Sequence, residues 1–119
     1  MGKLFVISAP SGTGKTSLIQ AILEDPVATN THLGISFTTR KARPKEEDGV
    51  SYFFISEMSF MEKVKNNDFL EYAEVYGNFY GTPKEWVLSV LSKKENVLLE
   101  LDIQGALQVK KAFTEAKTV

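Results

Sequence analysis

A glycine-rich segment near the start of the chain constrains the fold more than any other part of the sequence. Residues 4–7 are apolar and include two β-branched side chains, which predicts a short buried strand over residues 4–8. The eight residues that follow read Ala-Pro-Ser-Gly-Thr-Gly-Lys-Thr, and residues 15–23 then predict a helix with one apolar face. A strand, a glycine turn and a helix in this order match the pattern of a loop that binds nucleotide phosphates, although Ala9 stands where the first glycine is usual.

The pattern gives a physical role to each part of this loop. The glycines allow backbone N–H groups to turn inward around a phosphate, and the N-terminus of the helix adds a positive end. Lys15 is expected to reach the outer phosphates, and Thr16 is expected to offer its hydroxyl to Mg²⁺. A glycine turn with a surface lysine is the simpler alternative, which the flanking strand and helix disfavour. The predicted phosphate-binding residues are Ala9, Pro10, Ser11, Gly12, Thr13, Gly14, Lys15 and Thr16.

An acidic pair ends a second apolar run. Residues 97–101 are aliphatic except for Glu100, and Asp102 follows them. A strand of this composition is typical of the interior of a parallel sheet, and residues two apart point to the same side of it. Beside a phosphate-binding loop, Asp102 is predicted to hold Mg²⁺ directly or through water. The alternative is an ordinary strand end with an aspartate turn.

The order of the predicted elements favours an α/β fold. A strand and a helix open the chain, a mostly antiparallel segment follows, and a helix, a strand and a helix close it. We therefore predict a P-loop-type parallel sheet with helices on both faces, formed by residues 1–33 and 83–119, and a small β-rich insert formed by residues 34–82. Residues 117–119 resemble the start of another strand, so the core sheet is expected to be incomplete.

Local patterns predict the elements inside and after the insert. Strands are expected at residues 34–38, 52–55, 69–76 and 79–81, with a turn at Gly77-Asn78 and a short helix marked by Phe60, Met61 and Val64. The next helix has a predicted N-cap at Thr82, proline at its first position and Glu85 at its third. Its predicted buried face consists of Trp86, Val87, Val90 and Leu91.

Composition excludes several classes of protein. Lysine and arginine total 14 against 15 acidic residues, so no excess positive charge is present to bind nucleic acid. The chain has no cysteine and one histidine, which excludes disulfide scaffolds, thiolate zinc sites and histidine-rich metal clusters. The apolar run after Lys3 is too short for a signal peptide or a membrane span. We therefore predict a cytoplasmic protein with neither nucleic-acid nor membrane partners.

Two arginines indicate a second phosphate site. Arg40 and Arg43 lie three residues apart on a predicted loop, and Tyr52 follows on the next strand. Guanidinium groups bind phosphate through paired N–H donors, and a phenol adds one more donor. A phosphate-binding loop together with a second phosphate clamp implies two phosphorylated substrates, hence phosphoryl transfer between them.

These motifs together resemble the guanylate kinase family over almost the whole chain. The resemblance is carried by the phosphate-binding loop, Thr38-Thr39-Arg40-x-x-Arg43-Pro44, the stretch with Gly49, Tyr52 and Phe53, Phe69-Leu70-Glu71-Tyr72, Gly77-Asn78-Phe79-Tyr80-Gly81-Thr82, and Asp102-x-Gln104-Gly105. It implies ATP-dependent and Mg²⁺-dependent phosphorylation of GMP, with GDP and ADP as products. It also implies a catalytic group consisting of Lys15, Arg40, Arg43 and Asp102.

The resemblance also implies how GMP is bound. It assigns the GMP phosphate to Arg40, Arg43, Tyr52 and Tyr80, and the guanine N1–H and 2-amino group to Glu71. The physics agrees, because adenine offers neither donor and would leave a buried carboxylate without partners. A solvent-facing strand residue is the alternative for Glu71. The remaining implied GMP contacts are Ser36 and Thr82 at the guanine edge, and Glu100 and Asp102 near GMP and the metal.

A complete member of the family is expected to continue past Val119 through another core strand, a lid with arginines and an adenine-binding loop. We therefore expect the 119 residues alone to bind GMP but to catalyse poorly, and to expose a sheet edge open to self-association. Two other functions remain open. One is a guanylate-kinase-like binding module without catalysis, which usually lacks the loop glycines or lysine. The other is a P-loop kinase for a different nucleoside monophosphate.

Overall fold

The protein is described by a computed structural model covering residues 2–8, 21, 23, 24, 30–50, 52–113 and 115–118. It divides into two compact units. The first consists of Met1–Gly34 and Val87–Val119, and the second of Ile35–Trp86. The insert expected from the sequence spans residues 34–82.

Eight strands and three helices have both of their ends within the described residues. The strands are β1 (Leu4–Ser8), β2 (Thr31–Leu33), β3 (Phe37–Thr38), β4 (Phe53–Phe54), β5 (Phe69–Val75), β6 (Asn78–Pro83), β7 (Asn96–Leu101) and β8 (Lys117–Thr118). The helices are α1 (Glu57–Lys65), α2 (Lys84–Ser92) and α3 (Ile103–Ala112). None of the helices in the described ranges is both long and apolar enough to cross a membrane.

The first unit contains a parallel sheet with the strand order β2-β7-β1-β8. β1 has the predicted bounds, and Leu4 and Ser8 pair with Val97 and Leu101 of β7. Three successive residues of β7, from Val97 to Leu99, are buried, which confirms a strand covered on both faces. The α/β class predicted from the order of elements is confirmed.

One strand was missed, and the next one is shorter than predicted. The sequence indicated a single strand over residues 34–38, but β2 ends at Leu33 and pairs with β7, whereas β3 begins at Phe37 and belongs to the second unit. β2 escaped prediction because it is a short edge strand: His32 and Leu33 are exposed, so no apolar alternation marks them.

The second unit contains a mixed sheet with the order β4-β3-β6-β5. β3 pairs with β4 in parallel and with β6 in antiparallel orientation, and β5 and β6 form an antiparallel hairpin. Phe60 of α1 is fully buried, with its ring centroid 4.6 Å from that of Phe69 and 5.5 Å from that of Phe79. The predicted helix around Phe60 is confirmed, and Ser56 caps it by accepting the Ser59 N–H at 3.1 Å.

The hairpin turn lies one residue earlier than predicted. Tyr76 and Gly77 have φ values of 51° and 81°, while Asn78 pairs with Val75 as the first residue of β6. Two successive positive φ values fit the twist of the flanking strands, as in a type I′ turn. The sequence predicted Asn78 in the turn, but asparagine is compatible both with the turn and with the first position of the following strand.

Two expectations for α2 are wrong. Thr82 is not its N-cap, because Thr82 is buried within β6 and the helix begins at Lys84, whose N–H donates to the Asp68 carbonyl at 2.9 Å. Trp86 is not a core residue, since 37% of it is exposed. It lines an apolar cavity of about 240 Å³ together with Ile35, Phe37, Phe53 and Pro83. The other predicted positions, Val87, Val90 and Leu91, are buried.

Candidate nucleotide-binding site

The predicted phosphate-binding loop lies outside the described residues. The roles predicted for Lys15 and Thr16 therefore stay predictions. The strand that precedes the loop, β1, is a central strand of the parallel sheet. Beyond the loop, Ala21, Leu23 and Glu24 are helical. The strand and part of the helix that the motif requires are therefore present on either side of it.

A charged cluster in the second unit is centred on Arg40. Its Nη1 and Nη2 donate to Oε1 and Oε2 of Glu46 at 2.8 and 2.9 Å, a two-pronged ion pair. Its Nε donates to the Tyr80 hydroxyl at 3.3 Å, and Nη1 also donates to the Lys41 carbonyl at 3.1 Å. The guanidinium also lies over the Tyr52 ring, 5.3 Å from its centroid.

Three predicted phosphate ligands therefore meet in this cluster. The Tyr52 and Tyr80 rings are 5.9 Å apart in an edge-to-face arrangement, which is a favoured geometry for aromatic pairs. They come from β6 and the segment leading into β4, and β3 lies between these two strands. The sheet thus brings Arg40, Tyr52 and Tyr80 together although they are distant in sequence.

Arg43 joins the same cluster through its backbone. Its N–H donates to Glu46 Oε1 at 2.8 Å, and its carbonyl accepts the Glu46 N–H at 2.9 Å, which closes a turn. The Arg43 side chain is exposed and forms no hydrogen bond or ion pair with any residue that the structure describes. The Arg43 backbone is thus held in a turn, and its side chain is exposed to solvent.

Glu46 is a residue of the cluster that the sequence analysis missed. It belongs to the acidic run Glu46-Glu47-Asp48, which a sequence reading assigns to a solvated surface. Hydrogen bonding by Arg40, followed by that of the Arg43 N–H, lowers the pKa of the Glu46 carboxyl to about 2. The same hydrogen bond to Glu46 raises the pKa of Arg40. The only sequence signal was an acid six residues after an arginine, which is weak.

The Glu46 carboxylate gives a prediction for acid pH. Its folded pKa of about 2 lies below its ordinary value of 4.5, so its stabilising contribution is fully present above pH 4.5 and is lost as the pH falls toward 2. We expect carbon-detected NMR to show the Glu46 carboxyl titrating near pH 2. An ordinary midpoint near 4.5 would contradict the observed ion pair.

Glu71 is the buried acid of the second unit. It lies on β5 with 5% of its surface exposed, so the solvent-facing alternative is wrong. Its Oε1 accepts a hydrogen bond from the Thr82 hydroxyl at 3.3 Å, and Thr82 is itself 1% exposed. β5 and β6 pair these two residues in register, so the sheet positions them side by side. Ser36, the third predicted guanine contact, is half-buried and its carbonyl accepts the Phe53 N–H at 2.9 Å.

The predicted acidic pair lies in the first unit. Glu100 is an exposed residue of β7. Asp102 is the N-cap of α3, and its Oδ1 accepts the Gly105 N–H at 2.7 Å. The aspartate turn considered as an alternative is therefore present. A cap through one oxygen is compatible with a metal role for the other, so the two interpretations do not exclude each other.

The cap at Asp102 leads to a stability prediction. Asp102→Ala removes the side-chain acceptor and is expected to lower the free energy of unfolding by about 1 kcal/mol. Asp102→Asn keeps an acceptor oxygen and is expected to stay within about 0.5 kcal/mol of the unmodified chain. Urea unfolding of both variants measures the difference, and equal losses would show that the cap is not the cause.

The parallel sheet, with a glycine-rich segment directly after a central strand, is typical of α/β proteins of the P-loop nucleotide-binding class. A family model described as guanylate kinase matches residues 1–119. The chain belongs to the guanylate kinase family. The family match confirms the resemblance that the sequence motifs indicated.

Individual relatives agree with this assignment. A guanylate kinase of Hahella chejuensis is 56% identical over 119 residues, covering 99% of this chain and 56% of the relative. One of Acinetobacter baylyi is 52% identical over 118 residues, again covering 99% of this chain and 56% of the relative. The crystal structure of guanylate kinase from Anaplasma phagocytophilum superposes with a TM-score of 0.83 at 30% identity, covering 98% of this chain and 57% of the other. The chain thus spans a little over half the length of these relatives.

Proposed function

We propose that this chain carries the GMP site and the ATP-phosphate site of an ATP-dependent guanylate kinase, which transfers a phosphoryl group from ATP to GMP and produces GDP and ADP. The observation that carries the proposal is the buried Glu71 carboxylate beside the Thr82 hydroxyl in the second unit. Family membership supports the reaction class.

Glu71 is proposed to select guanine. Guanine presents N1–H and a 2-amino group side by side, and a carboxylate can accept from both. Adenine has neither donor there, so it would leave the buried carboxylate poorly satisfied at a cost of about 1–3 kcal/mol. That corresponds to roughly tenfold to a few hundredfold preference for GMP over AMP. Thr82 and Ser36 are the further proposed guanine contacts.

The Arg40 cluster is proposed to bind the GMP phosphate. Arg43, Tyr52 and Tyr80 would add charge and hydrogen-bond donors around one anion, as the resemblance implies. In the first unit, Glu100 and Asp102 are proposed to act near GMP and the metal. Phosphoryl transfer of this kind depends on positioning and on neutralising charge, so no strong base is required.

The ATP phosphates are assigned to residues 9–16, with Lys15 as the cation, and Mg²⁺ to Thr16 and Asp102. The described residues contain no group of three or more acidic or histidine side chains that could hold a metal. Mg²⁺ fits nevertheless, because it is usually held by one or two protein oxygens together with waters and substrate phosphates. When bound, it would neutralise charge on the phosphates.

Calorimetric titration with GMP and then with AMP, at fixed salt, tests the proposal. Circular dichroism of the same sample first establishes that the chain is folded. Selective GMP binding supports the proposal, and equal affinity for both nucleotides contradicts it. A folded chain that binds neither would favour a binding module without catalysis. Turnover is a poorer readout, since the chain spans a little over half the length of its relatives.

A further inference from the structure

Glu46 connects the two arginines of the proposed phosphate site. One carboxylate accepts from both terminal nitrogens of Arg40 and from the backbone N–H of Arg43. Arg40 donates four hydrogen bonds within the second unit, and a guanidinium has five N–H groups. Most of the hydrogen-bonding capacity of Arg40 is thus used before any ligand arrives.

We propose that Glu46 is a positioning residue for the phosphate of the nucleotide. It holds the Arg40 guanidinium against Tyr80 and fixes the turn that presents Arg43. This inference rests on the proposed function, because it assigns the bound phosphate to the same cluster. The two arginines then have different roles. Arg40 is the fixed part of the site, and Arg43 is the side chain that contacts the phosphate.

Three observations favour positioning over competition between Glu46 and the phosphate. The Glu46 carboxylate accepts the Arg43 N–H across the turn, so moving it away would break this hydrogen bond as well as the ion pair with Arg40. The Arg43 guanidinium is exposed and forms no hydrogen bond or ion pair with the described residues. The Tyr80 oxygen accepts from Arg40 Nε, which leaves its O–H proton to be donated.

The physical benefit is preorganisation. A long arginine side chain loses much rotamer freedom when it is ordered, and two nearby guanidinium groups repel each other. Glu46 orders Arg40 and offsets the repulsion between the guanidinium groups in the free protein. Less of the free energy of phosphate binding is then spent on ordering the site. A phosphate dianion then binds to donors that are already aligned, which strengthens its binding.

The test compares GMP with guanosine, which lacks the phosphate. We expect Glu46→Gln to weaken GMP binding by about tenfold, because the amide cannot accept from both Arg40 nitrogens. Guanosine affinity is expected to stay unchanged within about twofold, because its contacts lie at Glu71. Glu74→Gln is the control, since Glu74 is an exposed acid of the same unit.

Several outcomes would overturn the inference. Unchanged GMP affinity in Glu46→Gln would show that Glu46 does not position the phosphate site. Tighter GMP binding would show that Glu46 competes with the phosphate for Arg40. An equal loss for GMP and guanosine would indicate general damage to the unit. Faster solvent exchange of the Arg40 Nε–H in Glu46→Gln is a ligand-free check of the same idea, and unchanged exchange would contradict it. Failure of the proposed function is separate, because it appears in the unmodified chain as equal affinity for GMP and AMP.

Discussion

Glu71→Gln is expected to weaken GMP binding by about tenfold to a few hundredfold. The glutamine carbonyl can still accept from the Thr82 hydroxyl, so the contact between β5 and β6 is kept. Its amide nitrogen, however, is a donor and would face the donors of guanine. The variant should therefore fold like the unmodified chain and lose the preference for GMP over AMP, as measured by calorimetry.

Glu74→Gln is the matched control for this experiment. Glu74 lies three residues later on the same strand, but its side chain is exposed. Both substitutions remove one negative charge from β5, so a general electrostatic effect would appear in both. Similar GMP affinity in the two variants would show that Glu71 does not read the base.

Phe60→Ala is expected to lower the free energy of unfolding of the second unit by about 3–5 kcal/mol. Phe60 has no exposed surface, and its ring lies against those of Phe69, Phe79 and Tyr72. Removing the ring deletes these aromatic contacts with the hairpin and leaves a cavity in their place. The shift in the urea midpoint, followed by circular dichroism, measures the loss.

Met58→Ala in the same helix serves as the comparison. Met58 is 82% exposed, so its truncation removes little buried surface and should change the midpoint only slightly. If Phe60→Ala leaves no folded second unit, Phe60→Leu gives a smaller and measurable loss. Equal effects at positions 58 and 60 would contradict the packing of α1 described above.

The elements predicted well are those whose signal is local. β1 and β7 are mostly apolar runs, so their burial follows from the sequence itself, and the apolar residues of α1 predict a helix, although only Phe60 among them is buried. The errors arise where a distant partner decides. Thr82 carries every local mark of a helix cap, yet the carboxylate of Glu71, eleven positions away, holds its hydroxyl. Capping rules contain no information about such a pairing.

The residues of the candidate site also fall into those that the sequence indicates and those that only the fold brings together. Arg40 and Glu71 were identified because their residue types and their resemblance to the family indicate a task. Glu46 was missed because an acid in a polar loop is usually solvated, and only the folded turn brings its carboxylate to Arg40 and the Arg43 N–H. The phosphate-binding loop stays a prediction, since it lies outside the described residues.

The exposed position of Trp86 gives the second unit its own optical signal. The chain has one tryptophan, and it lies at the apolar cavity formed by Ile35, Phe37, Phe53 and Pro83. Its fluorescence therefore reports on the environment of that cavity, whereas far-ultraviolet ellipticity averages over all helices and strands. Unfolding curves from the two signals will coincide if the units melt together and separate if they melt independently, which makes cooperativity between the units measurable without introducing a label.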